Sequence, residues 1–194
     1  ARGAANRWPQ AADSATIPVV TAPKPVRILG VGNVLMGDDG FGPYVARTLE
    51  ARYHLPEHAQ VQDVGTPGLD FTPYLDGAGV IIVLDTVTGD EAPGTIKTYD
   101  RDQLLSTPPP DRMTPHQPGL REAMMAAEFT DSTPDEILIV GVVPESLETG
   151  TGLSPAVLAA VDSAIETVLA TLERLDLEPR LRQPPLDPDI WWEN

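Results

Sequence analysis

The segment from Val80 to Thr86 constrains the fold of this chain most, because its aliphatic residues are followed directly by a carboxylate, Asp85. Alternating apolar and polar residues indicate a strand with one solvated face. A run that is apolar at every position instead indicates a strand buried on both faces. Helices on both sides of a sheet provide that environment. The run therefore predicts the central strand of an α/β domain.

The rest of the chain alternates between strand-like and helix-like patterns. Apolar runs predict further strands at residues 26–32, 60–64, 95–99 and 137–143, and helical spacing predicts helices that begin near residues 41, 69, 116 and 155. Too few residues separate Asp85 from Gly94 for a helical crossover, so the strand at 95–99 is predicted to run antiparallel to its predecessor. This order predicts a three-layer α/β/α sandwich with a mixed, mostly parallel five-stranded sheet.

Two segments near the ends of predicted elements have distinctive patterns. Residues 101–115 contain consecutive prolines and no apolar periodicity, which predicts a long surface loop leading to His116. Ser154 and Pro155 are typical of a helix start. The helix that follows is predicted to cover one face of the sheet with Leu158, Val161, Ile165, Val168, Leu169 and Leu172.

The two ends of the chain differ in composition from its centre. Residues 1–25 mix Ala, Pro, Ser and Thr without periodicity, which predicts a disordered or loosely attached N-terminal arm. Residues 26–176 are predicted to form one α/β domain, and residues 177–194 a proline-rich C-terminal tail. Trp191 and Trp192 in this tail are predicted to dock on the domain or to contact a partner.

The charge balance restricts the partners of this chain. With 29 acidic and 13 basic residues, its formal charge is −16, which repels nucleic acid. Such a surface favours a basic partner, or is simply well solvated. Cysteine is absent, which excludes a thiolate nucleophile. The longest aliphatic run is much shorter than a membrane span, so we predict no membrane contact and a cytoplasmic protein.

Three side chains with metal-binding chemistry stand out: Asp39, Asp85 and His116. Two carboxylates and an imidazole suit a borderline divalent ion such as nickel or zinc, and three protein ligands leave positions for water or substrate. The residues are far apart in sequence, so they converge only if the fold brings separate strand ends together. Ligands of open α/β sheets bind outside the carboxyl ends of parallel strands, where Asp39 and Asp85 are expected.

The glycine-rich turn after the first strand has two interpretations. Gly30 and Gly32 follow a strand and precede a helix, as in a dinucleotide-binding turn. However, Leu35 stands where the third glycine of that fingerprint belongs, and no acidic residue ends the second strand at the expected distance. Backbone geometry alone is the simpler explanation of these glycines.

The candidate ligands also have structural alternatives. Asp38 and Asp39 near a helix start are typical capping residues, and a lone His116 is compatible with a helix cap. Asp85 fits a structural role less well, because a carboxylate that ends a buried strand costs free energy unless it is paired or bound to a metal.

The motifs gain specificity when they are taken together. The chain contains, in this order, G-V-G-N-V-L-M-G-D-D-G-F-G, D-V-G-T-P-G, V-L-D, T-P-H-Q and G-V-V-P-E-S-L-E. Their order and spacing resemble the hydrogenase maturation endopeptidases, and the resemblance covers about residues 26–175. It implies a mixed sheet between helices. It also implies an endopeptidase that trims the C-terminal extension of a nickel-iron hydrogenase large-subunit precursor after nickel insertion.

The resemblance also implies roles for individual residues. On matching positions, Asp39, Asp85 and His116 contact the metal and take part in catalysis. The metal is nickel supplied by the substrate, with a surrogate divalent cation possible in the purified protein, which is expected to be a monomer when free. The best-known members often have glutamate where Asp39 stands here, so this carboxylate has a shorter reach. A substrate loop is implied for Asn33, Asp38, Asp63, Gly65, Thr66 and Gly68.

Two rival functions remain open for the sequence. A non-hydrolytic nickel checkpoint or assembly chaperone would use the same three ligands without cleaving a peptide. A nucleotide-binding enzyme would use the turn at Gly30.

A metal site would also depend on pH, because a ligand histidine must be neutral. Metal contact through His116 is therefore predicted to weaken below about pH 6.5.

Overall fold

The computed structural model describes residues 24–68, 70–106, 116–130 and 133–193. The predicted N-terminal arm therefore lies outside the described residues, apart from its last two positions. The strands are β1 (Val26–Val31), β2 (Tyr53–His54), β3 (Ala59–Gly65), β4 (Val80–Thr86), β5 (Ile96–Asp100), β6 (Glu136–Val142) and β7 (Arg180–Leu181). The helices are α1 (Phe41–Arg52), α2 (Thr72–Leu75), α3 (Arg101–Ser106), α4 (Gln117–Glu128) and α5 (Pro155–Arg174). A short 3-10 helix, Gly37–Gly40, precedes α1.

The main sheet has five strands in the order β3-β1-β4-β6-β5. The first four are parallel, and β5 is antiparallel to β6. All seven residues of β4 are buried, as expected for a central strand whose two faces are covered. The predicted mixed, mostly parallel five-stranded sheet is therefore confirmed, and the predicted bounds of β4 agree with the structure.

Alternate side chains of the central strands point into two separate apolar cores. Ile28 and Ile82 pack on the face covered by α1 and α5. Leu29 and Ile81 pack on the opposite face, which is covered by α2, α3 and α4. This alternation follows from the two-residue period of a strand and produces the predicted three layers.

The strand β5 has the predicted direction, antiparallel to β4, and it pairs with β6. Two details differ from the sequence-based expectations. Residues 101–106 form helix α3 rather than a loop, and the side chain of Leu104 is fully buried. The rest of the predicted loop, residues 107–115, lies outside the described residues. On α5, Leu158 is 45% exposed, so the predicted apolar face is narrower than expected.

Helix α5 is the one helix in the described part of the chain that is long and apolar enough to cross a membrane. Its apolar residues have another role here. Val161, Ile165 and Val168 are buried in the core that α5 forms with α1 and the sheet. A core helix passes the same length and composition test as a membrane span, so α5 is weak support for membrane insertion.

The described part of the predicted tail, up to Glu193, returns along the outside of α1. Strand β7 pairs with β2 at the end of α1, and the backbone N–H of Leu186 donates to the carbonyl oxygen of Ala51. Trp192 is 6% exposed, whereas Trp191 is 57% exposed. One of the two tryptophans is therefore docked on the domain.

The connections leave β1 and β4 in opposite directions. From β1 the chain passes through α1 to β3 on one side, and from β4 it continues towards β6 on the other. The crevice outside the carboxyl ends of neighbouring strands at such a reversal is where open α/β sheets bind their ligands. Asp85 is the second-last residue of β4, and the turn that carries Asp39 follows β1.

Candidate functional site

Close packing of glycines brings Asp39 to the end of β4. A Cβ atom on Gly42 would lie 2.2 Å from the carbonyl oxygen of Leu84 and 2.3 Å from that of Val31. Gly32, at a φ of +138°, would place a Cβ 1.8 Å from the carbonyl oxygen of Asp39. Only glycine permits these approaches, so the start of α1 lies directly on the strand ends. The geometry explains the glycine-rich turn without a bound nucleotide.

The Asp39 carboxylate is held in a defined orientation. It is 8% exposed. Its Oδ2 accepts a hydrogen bond of 2.8 Å from the backbone N–H of Asn33, and its Oδ1 accepts one of 3.3 Å from the hydroxyl of Thr86. The side chain of Asn33 in turn accepts from the backbone N–H of Leu35. Asp39 is therefore a fixed group at the sheet edge, not a capping residue for α1, which has no side-chain cap.

Asp85 is the more deeply buried of the two carboxylates, with 1% exposure. Its Oδ1 accepts a 2.8 Å hydrogen bond from the backbone N–H of Thr86. Both of its oxygens lie 3.1 Å from Nδ1 of His116. A buried carboxylate is costly unless it is paired and hydrogen-bonded, and the imidazole provides that partner.

His116 immediately precedes α4 and lies partly buried beside Asp85. Burial opposes a charge on the imidazole, but the hydrogen bond that the ring donates to Asp85 and the negative charges of Asp85 and Asp39 outweigh it, so the pKa of His116 is raised above its ordinary value of 6.5. When the ring is protonated, it forms an ion pair with Asp85, with Nδ1 3.1 Å from Oδ2. The ring does not accept or donate a capping hydrogen bond to α4.

The three predicted ligands converge. One ligand atom from each of Asp39, Asp85 and His116 lies within 4.8 Å of the others. Among the described residues, these three side chains form the cluster of acidic and histidine residues that could hold a metal ion. Ligands at about 2.1 Å from one ion are at most about 4.2 Å apart, which is close to the limit within which these three atoms lie. The donor set of two oxygens and one nitrogen fits a borderline divalent ion with open coordination positions.

Thr86 is a site residue that sequence reasoning did not identify. It is 1% exposed, its hydroxyl donates to Asp39, and its backbone N–H donates to Asp85. It therefore fixes the two carboxylates relative to each other. Its position directly after Asp85 is the available sequence signal, but the link to Asp39 is visible only in three dimensions.

Asp38, a predicted substrate-loop residue, points away from this group. It is 1% exposed, and its carboxylate accepts hydrogen bonds from the backbone N–H groups of Glu145, Ser146 and Ser154 and from the Ser154 hydroxyl, at 2.7–3.0 Å. These bonds tie the segment after β6 to the turn that carries Asp39. The structure thus gives Asp38 a positioning role, and its contact with a substrate stays a prediction.

We expect Asp38→Ala to destabilise the protein by about 3 kcal/mol, because it leaves four donors without their acceptor. The melting temperature should fall by about 9 °C. Thermal and urea unfolding measure the effect, with Asp187→Ala as a matched change of an exposed aspartate. Equal melting temperatures for the two variants would show that the segment after β6 does not depend on Asp38.

The other predicted loop residues lie beside the end of β1. The backbone N–H of Gly32 donates to the carbonyl oxygen of Gly65 at 2.9 Å, which joins the two turns. Asp63 accepts from the backbone N–H of Gly65 at 3.1 Å and faces the guanidinium of Arg47 at 3.4 Å. The turn that follows contains Thr66 and Gly68, both exposed. Their contact with a substrate stays a prediction.

Comparisons with known proteins agree on one family. A family model described as hydrogenase maturation protease matches residues 43–171. The Hydrogenase 2 maturation protease of Escherichia coli (strain K12) is 36% identical over 154 residues, which cover 79% of this chain and 93% of that protein. The solved structure of the hydrogenase maturating endopeptidase HybD from E. coli superposes with a TM-score of 0.75 at 34% identity, covering 82% of this chain and 99% of that one. The NiFe hydrogenase maturation protease HybD from Thermococcus kodakarensis has a TM-score of 0.64 at 25% identity, covering 76% of this chain and 98% of that one.

Proposed function

Since this chain belongs to the hydrogenase maturation proteases, we propose that it removes the C-terminal extension of a nickel-iron hydrogenase large-subunit precursor after nickel has been inserted. The observation that carries the proposal is the convergence of Asp39, Asp85 and His116 within 4.8 Å at the carboxyl edge of the sheet. The three residues are far apart in the sequence, so the fold and not a local motif brings them together.

In this proposal nickel belongs to the substrate and acts as a recognition signal. Asp39, Asp85 and His116 complete the coordination of nickel that the precursor already holds, so a precursor without nickel binds poorly. Binding through three fixed side chains also places the scissile peptide bond beside the site. A surrogate divalent cation can take the same position in the purified protein, because the donor set is not specific for nickel.

Peptide hydrolysis then requires one water molecule and the transfer of its protons. The water oxygen bonds to the carbonyl carbon, the C–N bond breaks, and the leaving nitrogen receives a proton. A divalent ion would lower the pKa of bound water towards about 7 and polarise the carbonyl. In this proposal Asp39 or Asp85 accepts the proton of the water, which their proximity to each other and to His116 supports. Their hydrogen bonds to Thr86 keep both carboxylates oriented.

The two rival functions have less support. The three relatives described above are named as proteases or an endopeptidase, which favours hydrolysis over a purely binding checkpoint or chaperone. The glycines of the turn after β1 are explained by the contact of Gly42 with the strands and of Gly32 with Asp39, which favours a structural role over nucleotide binding.

The proposal is tested with purified protein and a large-subunit precursor prepared with and without nickel. Intact mass spectrometry should show loss of a C-terminal peptide from the nickel-loaded precursor only. Stable binding without any change in mass would support the checkpoint instead. Cleavage of both precursors at the same rate would show that nickel is not the recognition signal.

Nickel binding by the free protein should weaken as the pH falls. Metal ligation needs the neutral imidazole of His116, and its raised pKa means that proton competition begins above pH 6.5. Below that pKa the affinity should fall by up to about tenfold per pH unit. Calorimetric titration with Ni²⁺ alone between pH 8 and 5.5 measures the slope.

Two variants serve as controls for this titration. His116→Gln should bind weakly with a flatter profile, and His54→Gln, a change at an exposed histidine, should keep the wild-type profile. An unchanged wild-type affinity across the range would rule out His116 as a ligand.

Cellular location and assembly state complete the proposed function. A formal charge of −16 disfavours nucleic acid as a partner. The cytoplasmic location, the lack of membrane contact and the monomeric free state stay predictions, as does the precursor as the binding partner.

A further inference from the structure

A cleft of about 190 Å³ opens next to the three candidate ligands. One wall is formed by residues 86–89, which follow β4, and the other by Val143, Pro144 and Leu147, which follow β6. We infer that this cleft is a specificity subsite that binds the uncharged aliphatic side chain of a substrate residue flanking the scissile bond. The inference rests on the proposed function and adds the chemistry of the residue that the enzyme selects.

The position of the cleft makes it a subsite of the same reaction. Thr86 belongs to both places: it lines the cleft, and it donates hydrogen bonds to Asp39 and Asp85. An extended peptide advances about 3.3 Å per residue. A substrate whose scissile bond lies at the two carboxylates therefore reaches the cleft with a residue that adjoins the bond.

The walls of the cleft are suited to an aliphatic group. Val87 and Val143 are 1% and 4% exposed, so they form a fixed apolar floor, and Leu147 is 39% exposed at the opening. Lys97 and Glu91, which lie beside Gly89 of the cleft, are paired with each other, because Lys97 donates to Glu91 at 2.7 Å. A charged substrate side chain would lose hydration against the apolar floor.

The size of the cleft limits the side chain to a medium one. A cavity of about 150 Å³ in a protein accommodates a benzene-sized molecule. A cleft of about 190 Å³ thus holds one valine-, leucine- or methionine-sized side chain with part of its backbone. The space is too small for two large side chains, so the cleft selects one residue of the substrate.

The two walls are held in place before substrate binds. The backbone N–H of Val87 donates to the carbonyl oxygen of Val142, and the segment after β6 is tied down by the Asp38 carboxylate. A preformed cleft loses little conformational entropy on binding, so its apolar contacts contribute to affinity. This explains why a buried aspartate stands next to Asp39 without contacting the metal group.

The test uses the nickel-loaded precursor and one charge introduced at the opening. Leu147→Asp should raise KM for the natural precursor by at least tenfold, because it places a carboxylate against an aliphatic side chain. Leu181→Asp is the matched control, since Leu181 is an exposed leucine in β7 at the far end of α1. It should leave KM unchanged. Thr88→Phe, which fills the cleft from an exposed position, should act like Leu147→Asp.

Two further readouts separate a subsite from a general structural effect. The affinity for Ni²⁺ alone and the melting temperature should be the same for Leu147→Asp and the wild type. Precursors in which each flanking residue is changed in turn to lysine should be poor wild-type substrates at one position, and Leu147→Asp should recover cleavage of that precursor.

The outcomes distinguish this inference from the proposed function. Wild-type protein that does not cleave the nickel-loaded precursor overturns the proposed function and the subsite with it. Cleavage by the wild type, combined with unchanged KM in both Leu147→Asp and Thr88→Phe, overturns the subsite alone. A raised KM together with recovery by the lysine precursor supports it.

Discussion

Asp85→Asn is expected to reduce cleavage of the nickel-loaded precursor by about a thousandfold. Asparagine keeps the shape of the side chain but removes the charge that pairs with His116 and would bind the cation. It also replaces an oxygen acceptor with an N–H₂ donor at a position 1% exposed, where bulk water does not compensate for the change. The loss should therefore appear in kcat as well as in KM.

The measurement is single-turnover cleavage followed by mass spectrometry, with Ni²⁺ affinity determined in parallel. Asp162→Asn, which changes an exposed aspartate paired with Arg52, is the matched control and should keep full activity. If Asp85→Asn cleaves at the wild-type rate, Asp85 neither binds the cation nor acts as a base, and the proposed mechanism is wrong.

The largest effect on stability is expected for Gly42→Ala. The added Cβ would lie 2.2 Å and 2.3 Å from two backbone oxygens, those of Leu84 and Val31. Backbone atoms inside a parallel sheet do not move aside as a flexible side chain does, so α1 must lift off the strands. We expect the free energy of unfolding to fall by about 3 kcal/mol or more. Because Asp39 lies in the turn before α1, the affinity for Ni²⁺ should fall as well.

Urea unfolding of Gly42→Ala is compared with that of Gly150→Ala. Gly150 has no atom within 4 Å of the position of an added Cβ, so its variant should be within about 1 kcal/mol of the wild type. Equal stability of the two variants would mean that α1 tolerates a shift away from the sheet, and that close glycine packing does not determine the position of Asp39.

Much of this fold follows from local sequence patterns. The apolar run at β4 identified a strand buried on both faces, and Ser154 with Pro155 marked the start of α5, where the Ser154 hydroxyl accepts from the backbone N–H of Val157. These features depend on residues that are close in the chain. Helix α3 was missed because it is short and is defined mainly by the burial of Leu104 against distant strands.

The pairing of strands was harder to predict than their existence. The short connection after β4 indicated the direction of β5 correctly, but not its neighbour. Strand β5 pairs with β6, which comes later in the chain, and backbone hydrogen bonds from Val87 to Val142 and from Gly94 to Val143 fix the connection there. A sequence pattern reports which faces of a strand are buried, but not which strand lies beside it.

The sequence by itself determined the types of ligand available, the buried strand that ends in Asp85, and the family resemblance, because each is encoded in residue identity and short-range order. Only the tertiary structure decided that Asp39, Asp85 and His116 share one place, that Thr86 links the carboxylates, and that Asp38 instead holds the neighbouring segment. These facts depend on how closely α1 approaches the strands and on which strand ends adjoin. Such contacts join residues far apart in the chain, and neither composition nor periodicity records them.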